Sequence, residues 1–252
     1  MSDAFSIGAL AMRTQQQALE ALANNIANVN TAGFKRARVR FADLSANVPT
    51  VTGPATATAD AGVRFDTQLT IDQQGEVQRT GRPLDVAIEG AGFIELMGPG
   101  GQTLLWRGGT MKVDADGLLA SDGGLPLRAA VTIPADASDV RIARDGIVRA
   151  MLGDGTEAVE LGRIELVRCD DPDTLVRLDG GVYRMTDDAR GVAVDPGEDG
   201  AGLLVQGAVE RSNVQLTDEM VQLMLVQRAY AANAQIVQAA DQLMGIVNGL
   251  RR

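Results

Sequence analysis

Few residues in this chain have the types and the spacing that catalysis or metal binding requires. The sequence contains no histidine and a single cysteine, Cys169. Histidine is the usual general base and the commonest metal ligand, and one cysteine cannot build an internal disulfide or a zinc cluster. We therefore interpret Cys169 as a small, partly buried side chain. The residue types predict no catalytic residue, no cofactor and no metal site.

Acidic and glycine-rich segments are the remaining chemical candidates. Residues 114–117 (DADG) are similar to the opening of a calcium loop, but Leu118 and Ala120 occupy later ligand positions and no glutamate closes the loop. Residues 170–173 (DDPD) are typical of a solvated acidic turn. The glycine-rich residues 98–101 (GPGG) are not followed by the helical pattern or the Lys-Ser/Thr pair of a phosphate-binding loop. We interpret all three segments as turns.

Charge and hydropathy exclude two classes of partner. The formal net charge is −10 and no basic run is longer than Arg251-Arg252, so a nucleic-acid partner is not expected. No apolar run reaches the length of about 18 residues that a membrane span needs, so we expect no membrane insertion. The first residues lack the basic and apolar segments of a secretory signal. If the chain is exported, we expect this to occur without a cleaved signal peptide.

The N-terminal residues have helical periodicity with one apolar seam. Phe5, Met12, Leu19 and Ile26 recur every seven residues, and Leu22 and Val29 follow two of them at a spacing of three. We expect this helix to end near residues 28–30, where turn-forming residues and Gly33 follow.

The C-terminal residues repeat the same interval over a longer stretch. The apolar positions are Leu216, Leu223, Tyr230, Val237 and Met244, with Val226, Ala240 and Val247 between them. Thr217 is the predicted N-cap, followed by two acidic residues that suit the helix dipole. A helix over residues 217–248 is about 48 Å long at 1.5 Å per residue, which suits packing against another long helix.

The residues between the two helices have the pattern of short strands and tight turns. Residues 84–89 alternate apolar and other side chains, and six Asp-Gly pairs follow between residues 116 and 200. We predict an antiparallel β domain, with Trp106 in its core or at its rim. Residues 45–62 are rich in Ala, Thr and Pro and are interpreted as an extended linker.

The predicted fold is mainly β with long terminal α-helices that pair as a coiled coil, and with the antiparallel β domain inserted between them. The predicted segments are an N-terminal helix and motif (1–44), the linker (45–62), a β-rich outer domain (63–210) and a long C-terminal helix (211–252). Because two apolar seams at the chain ends favour self-association, we expect an assembly interface. Its candidate residues are Phe5, Met12, Leu19, Leu22, Asn24, Asn25, Ile26, Asn28, Val29, Gly33, Leu216, Met220, Leu223, Val226, Tyr230, Val237, Met244 and Val247.

Three motifs carry a resemblance to a known family. Residues 22–36 (LANNIANVNTAGFKR), 84–96 (LDVAIEGAGFIEL) and 212–244 (beginning SNVQLTDEM) resemble, in this order, the signatures of the bacterial flagellar rod and hook proteins, the axial family. Within the family, the length and the C-terminal residues are most similar to subunits of the distal rod. Subunits of the proximal rod are the alternative, and the chain has no room for the additional outer domain of a hook subunit.

The resemblance implies a structural function without catalysis. A subunit of this family polymerises with itself into a hollow helical drive shaft in the periplasmic part of the basal body and transmits torque to the hook. The implied partners are neighbouring rod and hook proteins, the bushing rings around the rod, and the flagellar type III export apparatus. Residues alone leave two alternatives open, a monomeric hydrolase that uses carboxylates and a module that caps an assembly.

The asparagines of the first motif acquire a specific interpretation from the resemblance. We predict that the amides of Asn24, Asn25 and Asn28 hydrogen-bond neighbouring backbone where the helix of one subunit turns against the next. Asn30 and Gly33 are expected to end the helix and to redirect the chain toward the β domain.

Overall fold

The computed structural model describes residues 2–43, 63–153, 158–169, 171, 174–186 and 191–250. The predicted linker, residues 45–62, therefore lies outside the described residues. The chain divides into two compact units. The helical unit comprises the described residues within 1–27, 37–68 and 215–252, and the β unit those within 28–36 and 69–214.

The helical unit contains two long helices and two strands. Helix α1 spans Ser2–Ala27 and helix α2 spans Leu216–Leu250, so both predicted helices are confirmed. Strands β1 (Ala37–Asp43) and β2 (Val63–Leu69) pair with each other. The prediction of Thr217 as the N-cap is wrong, because the amide of Glu219 donates to the carbonyl of Gln215 at 3.1 Å and starts the helix earlier.

The β unit consists of short strands joined by tight turns. The strands are β3 (Val77–Arg79), β4 (Asp85–Glu89), β5 (Phe93–Met97), β6 (Thr103–Trp106), β7 (Gly108–Val113), β8 (Leu119–Ser121), β9 (Ala137–Ile142), β10 (Ile147–Leu152), β11 (Ala158–Arg163), β12 (Leu166–Cys169), β13 (Leu175–Arg177), β14 (Val182–Met185), β15 (Gly191–Val194), β16 (Leu203–Gln206) and β17 (Ala208–Glu210). Short 3₁₀ turns occur at Pro99–Gly101 and Asp179–Gly181.

The strands of the β unit form four sheets. A six-stranded sheet has the order β13-β14-β6-β5-β12-β15, and a four-stranded sheet has the order β16-β4-β7-β8. Three strands pair as β11-β10-β9 and two as β17-β3. Every strand pair whose register is described is antiparallel. The predicted mainly β architecture with a helix near each end is confirmed.

The turns follow the sequence signals, and the core lies between the sheets of the β unit. Asp-Gly pairs at residues 116–117, 145–146 and 179–180 lie between consecutive antiparallel strands, as predicted. In the first of these turns the Asp114 carboxylate accepts the backbone N–H groups of Asp116 (2.9 Å) and Leu118 (2.8 Å), so it stabilises a turn. Trp106 is 4% exposed and belongs to the apolar core, which confirms its interpretation as a core residue.

Candidate functional site

The buried positions of α1 are small or polar. Gly8, Thr14, Ala18 and Asn25 are buried, whereas the predicted seam residues Met12, Leu19, Leu22 and Ile26 are half-buried. The buried face of α1 is therefore displaced by about one residue from the predicted seam: Ala18 and Asn25 are buried instead of Leu19 and Ile26. The large apolar side chains flank it. The side chain of Phe5 lies outside the described part of the structure.

Glycine at position 8 allows the two helices to approach closely. A Cβ atom added to Gly8 would lie 2.7 Å from Cγ2 of Val237 on α2, closer than carbon atoms pack. Farther along, the side-chain amide of Asn25 donates to Oε2 of Glu219 at 3.1 Å. Between these two contacts α1 and α2 each advance about 26 Å at 1.5 Å per residue, in opposite directions. The helices are therefore an antiparallel pair held in register.

Only part of the predicted α2 seam faces inward. Leu223, Val226 and Val237 are half-buried, together with Asn233, Ala234 and Ala240, at the spacing of three and four that a helix face requires. The other three predicted residues with described side chains are exposed, namely Leu216 (45%), Met220 (43%) and Tyr230 (42%). The side chains of Met244 and Val247 are not among those the structure describes.

Asn25 joins three segments of the helical unit. Its amide nitrogen donates to the carbonyl of Ala37 (2.8 Å) as well as to Glu219, and its Oδ1 accepts the backbone N–H of Ala37 (3.0 Å). The side chain is fully buried. Asn25 thus hydrogen-bonds backbone of its own chain, whereas such a bond at the junction of two subunits stays a prediction. Asn24, the preceding residue, is exposed.

The second half of the first motif belongs to the β unit. Asn28 closes a turn, because its Oδ1 accepts the hydroxyl of Thr31 at 3.0 Å, and Val29 is half-buried. Gly33 has a φ of +68°, the left-handed conformation that glycine adopts without strain. Its N–H donates to the carbonyl of Glu210 at 2.8 Å. The predicted redirection of the chain at Gly33 is confirmed.

A buried ionic cluster lies directly after this turn. The ammonium group of Lys35 donates to Oε1 of Glu210 at 2.6 Å, and Nε of Arg107 donates to Oε2 of the same carboxylate at 2.9 Å. All three side chains are at most 3% exposed. Lys35 also donates to the carbonyl of Gln73 (2.9 Å), and Arg107 donates to the carbonyls of Gly90 and Gly92.

Burial dominates the electrostatics of this cluster. Desolvation lowers the pKa of Lys35, and the opposing attraction of Glu210 only partly offsets it. Desolvation also raises the pKa of Tyr183, whose hydroxyl donates to the carbonyl of Gly33 at 3.3 Å, to about 12. The charged groups are committed to one another and to backbone carbonyls. They are arranged to hold segments of the β unit together.

Asn213 ties the two chain segments of this region together. Its Oδ1 accepts the backbone N–H of Arg36 at 2.7 Å, and its amide nitrogen donates to the carbonyls of Thr70 and Gln73, each at 2.9 Å. The β unit therefore fixes both the segment that follows α1 and the segment that precedes α2. Both segments lie within motifs that the sequence singled out.

Sequence reasoning missed Lys35, Arg107 and Glu210 as a site. Lys35 and Glu210 are 175 residues apart along the chain, so their pairing has no local pattern. A signal was present: Lys35 ends an uncharged stretch over residues 22–34, and Arg107 interrupts an apolar run. Single charges in such surroundings indicate burial against a counter-charge.

The β unit also contains a partly open cavity of about 310 Å³. Apolar groups and the Arg107 side chain contribute to its lining, and Cys169 lies at its wall, half-buried, with its thiol donating to the carbonyl of Asp171 at 3.3 Å. Within the described residues no cluster of three or more acidic or cysteine side chains is placed to hold a metal ion. Neither helix, over the same residues, combines the length and hydropathy of a membrane-crossing segment.

Three family models match successive parts of the chain, one at each end and one in the β unit. The family model described as flagella basal body rod protein matches residues 5–35. The model of the flagellar hook protein FlgE/F/G D1 domain matches residues 87–150, and that of the flagellar basal body rod FlgEFG protein C-terminal matches residues 205–250.

Whole-length relatives carry the same description. The flagellar basal-body rod protein FlgG of Borreliella burgdorferi is 33% identical over 264 aligned residues that cover 100% of both chains. FlgG of Agrobacterium fabrum is 34% identical over 97% of this chain and 98% of the relative. The rod protein FlgF of Caulobacter vibrioides is 32% identical over 96% of this chain and 95% of the relative.

A helix pair with exposed apolar side chains and a β unit with a buried apolar core are typical of a structural protein built for association. The chain belongs to the flagellar basal-body rod protein family. It is a structural subunit of the distal rod type and not an enzyme. Family membership supports self-assembly with rod and hook proteins as neighbours, and a location in the flagellar basal body.

Proposed function

We propose that this chain polymerises into the hollow helical shaft of the rod and transmits torque to the hook. The terminal helices of each subunit form a coiled coil in the inner layer of the shaft. The β unit faces outward, toward neighbouring subunits and the surrounding bushing rings. The division into residues 1–44, 45–62, 63–210 and 211–252 belongs to this proposal.

The incomplete burial of the helical unit carries the proposal. Leu216, Met220 and Tyr230 are each more than 40% exposed in the single chain, and the large apolar residues of α1 whose side chains the structure describes are only half-buried. Contiguous exposed apolar surface marks an interaction site. In an assembly, neighbouring copies cover this surface, and the candidate interface residues of both helices become buried.

Export through the flagellar type III apparatus, without a cleaved signal peptide, and assembly in the periplasm complete the proposal. The chain has one cysteine and so forms no internal disulfide. No covalent cross-link of that kind opposes unfolding for passage through a narrow channel.

Electron microscopy of basal bodies from a strain that lacks the gene tests this function. We expect the rod to end before its distal segment and expression of the chain to restore it. A complete rod in the deletion strain would contradict the proposal. Loss of an earlier rod segment would instead assign the chain to the proximal rod, the alternative that the sequence left open.

Copy number separates a wall subunit from a capping protein. Quantitative mass spectrometry of purified basal bodies is expected to find many copies of the chain per rod, because each helical turn of a shaft needs several subunits. A few copies per basal body would indicate a module that sits on the assembly without forming its wall.

A further inference from the structure

Helix α2 carries a second apolar stripe, distinct from the face that packs on α1. The side chains of this stripe are all exposed. Together with two exposed alanines, at positions 232 and 239, they recur along the helix at intervals of three, four or seven residues. The large members are Val221 (47%), Leu225 (52%), Ile236 (57%), Leu243 (60%) and Ile246 (59%). At 3.6 residues per turn they fall within an arc of about 80°, roughly 130° around the helix from the half-buried face.

The low content of charged residues in α2 is typical of a helix that is covered on more than one side. From residue 220 to residue 250 the sequence contains two charged residues, Arg228 and Asp241. A surface segment of this length with average composition would contain about eight. The remaining polar positions are mainly glutamine and asparagine. A helix that is apolar around most of its circumference requires partners on several faces.

The partner that fits this stripe is another helix of the same kind. The stripe extends from residue 221 to residue 246, about 37 Å at 1.5 Å per residue. A spacing of three and four residues presents apolar knobs to a facing helix. The near absence of charge excludes a partner recognised through ion pairs and matches the composition of α2 itself. Membership of the rod protein family supports self-assembly of this chain.

We propose that the stripe of Val221, Leu225, Ile236, Leu243 and Ile246 seats helix α2 of a second copy of this chain. This inference rests on the proposed function and adds the residues and the partner element. It assigns Leu223, Val226 and Val237 to the contact with α1 of the same chain. This contact between two copies is an additional one and lies on a face of α2 that the seven-residue repeat did not indicate.

Replacement of Ile236 by a photo-crosslinking benzoylphenylalanine tests the contact in cells that assemble flagella. We expect a product of twice the chain mass, whose cross-linked peptide lies in α2 of another copy. The same residue at Gln238, exposed and about 160° around the helix from Ile236, is the control and should give at most a tenth of that product. A cross-link confined to one chain, to α1 or to another protein would overturn the assignment.

Charge substitution supplies an independent readout. Ile236→Asp is expected to reduce the number of completed rods at least tenfold, whereas Gln238→Asp should stay within twofold of the unmodified chain. Rods of normal number with Ile236→Asp would contradict the proposal. If the deletion strain builds complete rods, the proposed function itself fails. If the deletion removes the rod but Ile236→Asp does not, only the stripe assignment fails.

Discussion

The two units of this chain bury their apolar residues to very different extents. In the β unit the side chains of Val86, Ile88 and Leu105 are completely buried. In the helical unit the buried apolar residues among those described are alanines, Ala18 and Ala37, and the large side chains stay partly exposed. The β unit thus has a core of large, completely buried side chains within the single chain, although it also exposes some apolar residues such as Val192 (49%). The helical unit has only the part of its interface that its own two helices provide.

This difference means that stability and assembly depend on different residues. Apolar burial of about 25 cal/mol per Å² stabilises the β unit in the monomer, whereas the helical unit gains its full share of this stabilisation only when another copy binds. Two spectroscopic signals report on the unfolding of the two units separately. Trp106, the only tryptophan, lies in the β core and reports on that unit by fluorescence, while helical circular dichroism reports on α1 and α2.

The largest effect is expected from removing the shared carboxylate of the ionic cluster. Glu210→Ala leaves Lys35 and Arg107 buried without their counter-charge, and we expect the β unit to lose about 3–5 kcal/mol of unfolding free energy. Urea unfolding followed by Trp106 fluorescence measures the loss. The matched control is Glu89→Ala, which breaks an ion pair to Arg144 whose two side chains are more than half exposed. Equal losses in the two variants would contradict the structural role of the cluster.

The next effect is a pH dependence that Tyr183 confers on the β unit. Its pKa is raised from 10.0 to about 12 by burial, so the folded state retains the proton where the unfolded state has released it. Stability from this group is complete below pH 10 and is lost as pH rises toward 12. The full difference of two pH units corresponds to about 2.7 kcal/mol.

Tyr183→Phe isolates that contribution. Unfolding free energies of both proteins are measured by Trp106 fluorescence between pH 9 and pH 11.5, and the variant should lose less stability over this range. Lys35 acts in the opposite sense, because its lowered pKa makes stability rise with pH in the interval below 10.5, but it is present in both proteins. Parallel pH profiles for the two proteins would show that Tyr183 is not the responsible group.

The elements of both units were predictable from local patterns, because each pattern acts over a few residues. Periodicity of seven located both ends of α2 to within two residues and the end of α1 to within three, and Asp-Gly pairs located hairpins such as the one at residues 145–146. The face of each helix was less predictable. Periodicity follows the large apolar residues, whereas the closest helix contact uses Gly8.

The ionic cluster shows why long-range sites escape sequence reasoning. Lys35, Arg107 and Glu210 come from three distant segments, and their meeting depends on how the fold places the segment before β1, the connection between β6 and β7, and the end of β17. Asn25 was predictable as a hydrogen-bonding amide because it precedes a helix end. Its partner Glu219, 194 residues away, was not.

A smaller effect is expected from Asn25, in the helical unit. Asn25→Ala removes two hydrogen bonds to Ala37 and one to Glu219, and leaves buried polar groups without these partners. We expect a loss of about 1–3 kcal/mol, seen by helical circular dichroism and with little change in Trp106 fluorescence. Gln17→Ala, at an exposed position of the same helix, is the control. If both substitutions change the helical signal equally, Asn25 is not the residue that joins the segments.

The smallest effect on the single chain should come from an exposed apolar residue of α2. Met220 is 43% exposed, and Met220→Gln keeps nearly the same side-chain volume, so we expect both unfolding signals to change by less than about 0.5 kcal/mol. The same substitution places an amide in an interface that exists only in the rod, where burial of an unpaired polar group is costly. Completed rods, counted by electron microscopy, should therefore decrease although the monomer is unchanged. A monomer destabilised as strongly as with Asn25→Ala would mean that Met220 already packs within its own chain, and the contrast between the buried core of the β unit and the incompletely buried helical unit would be lost.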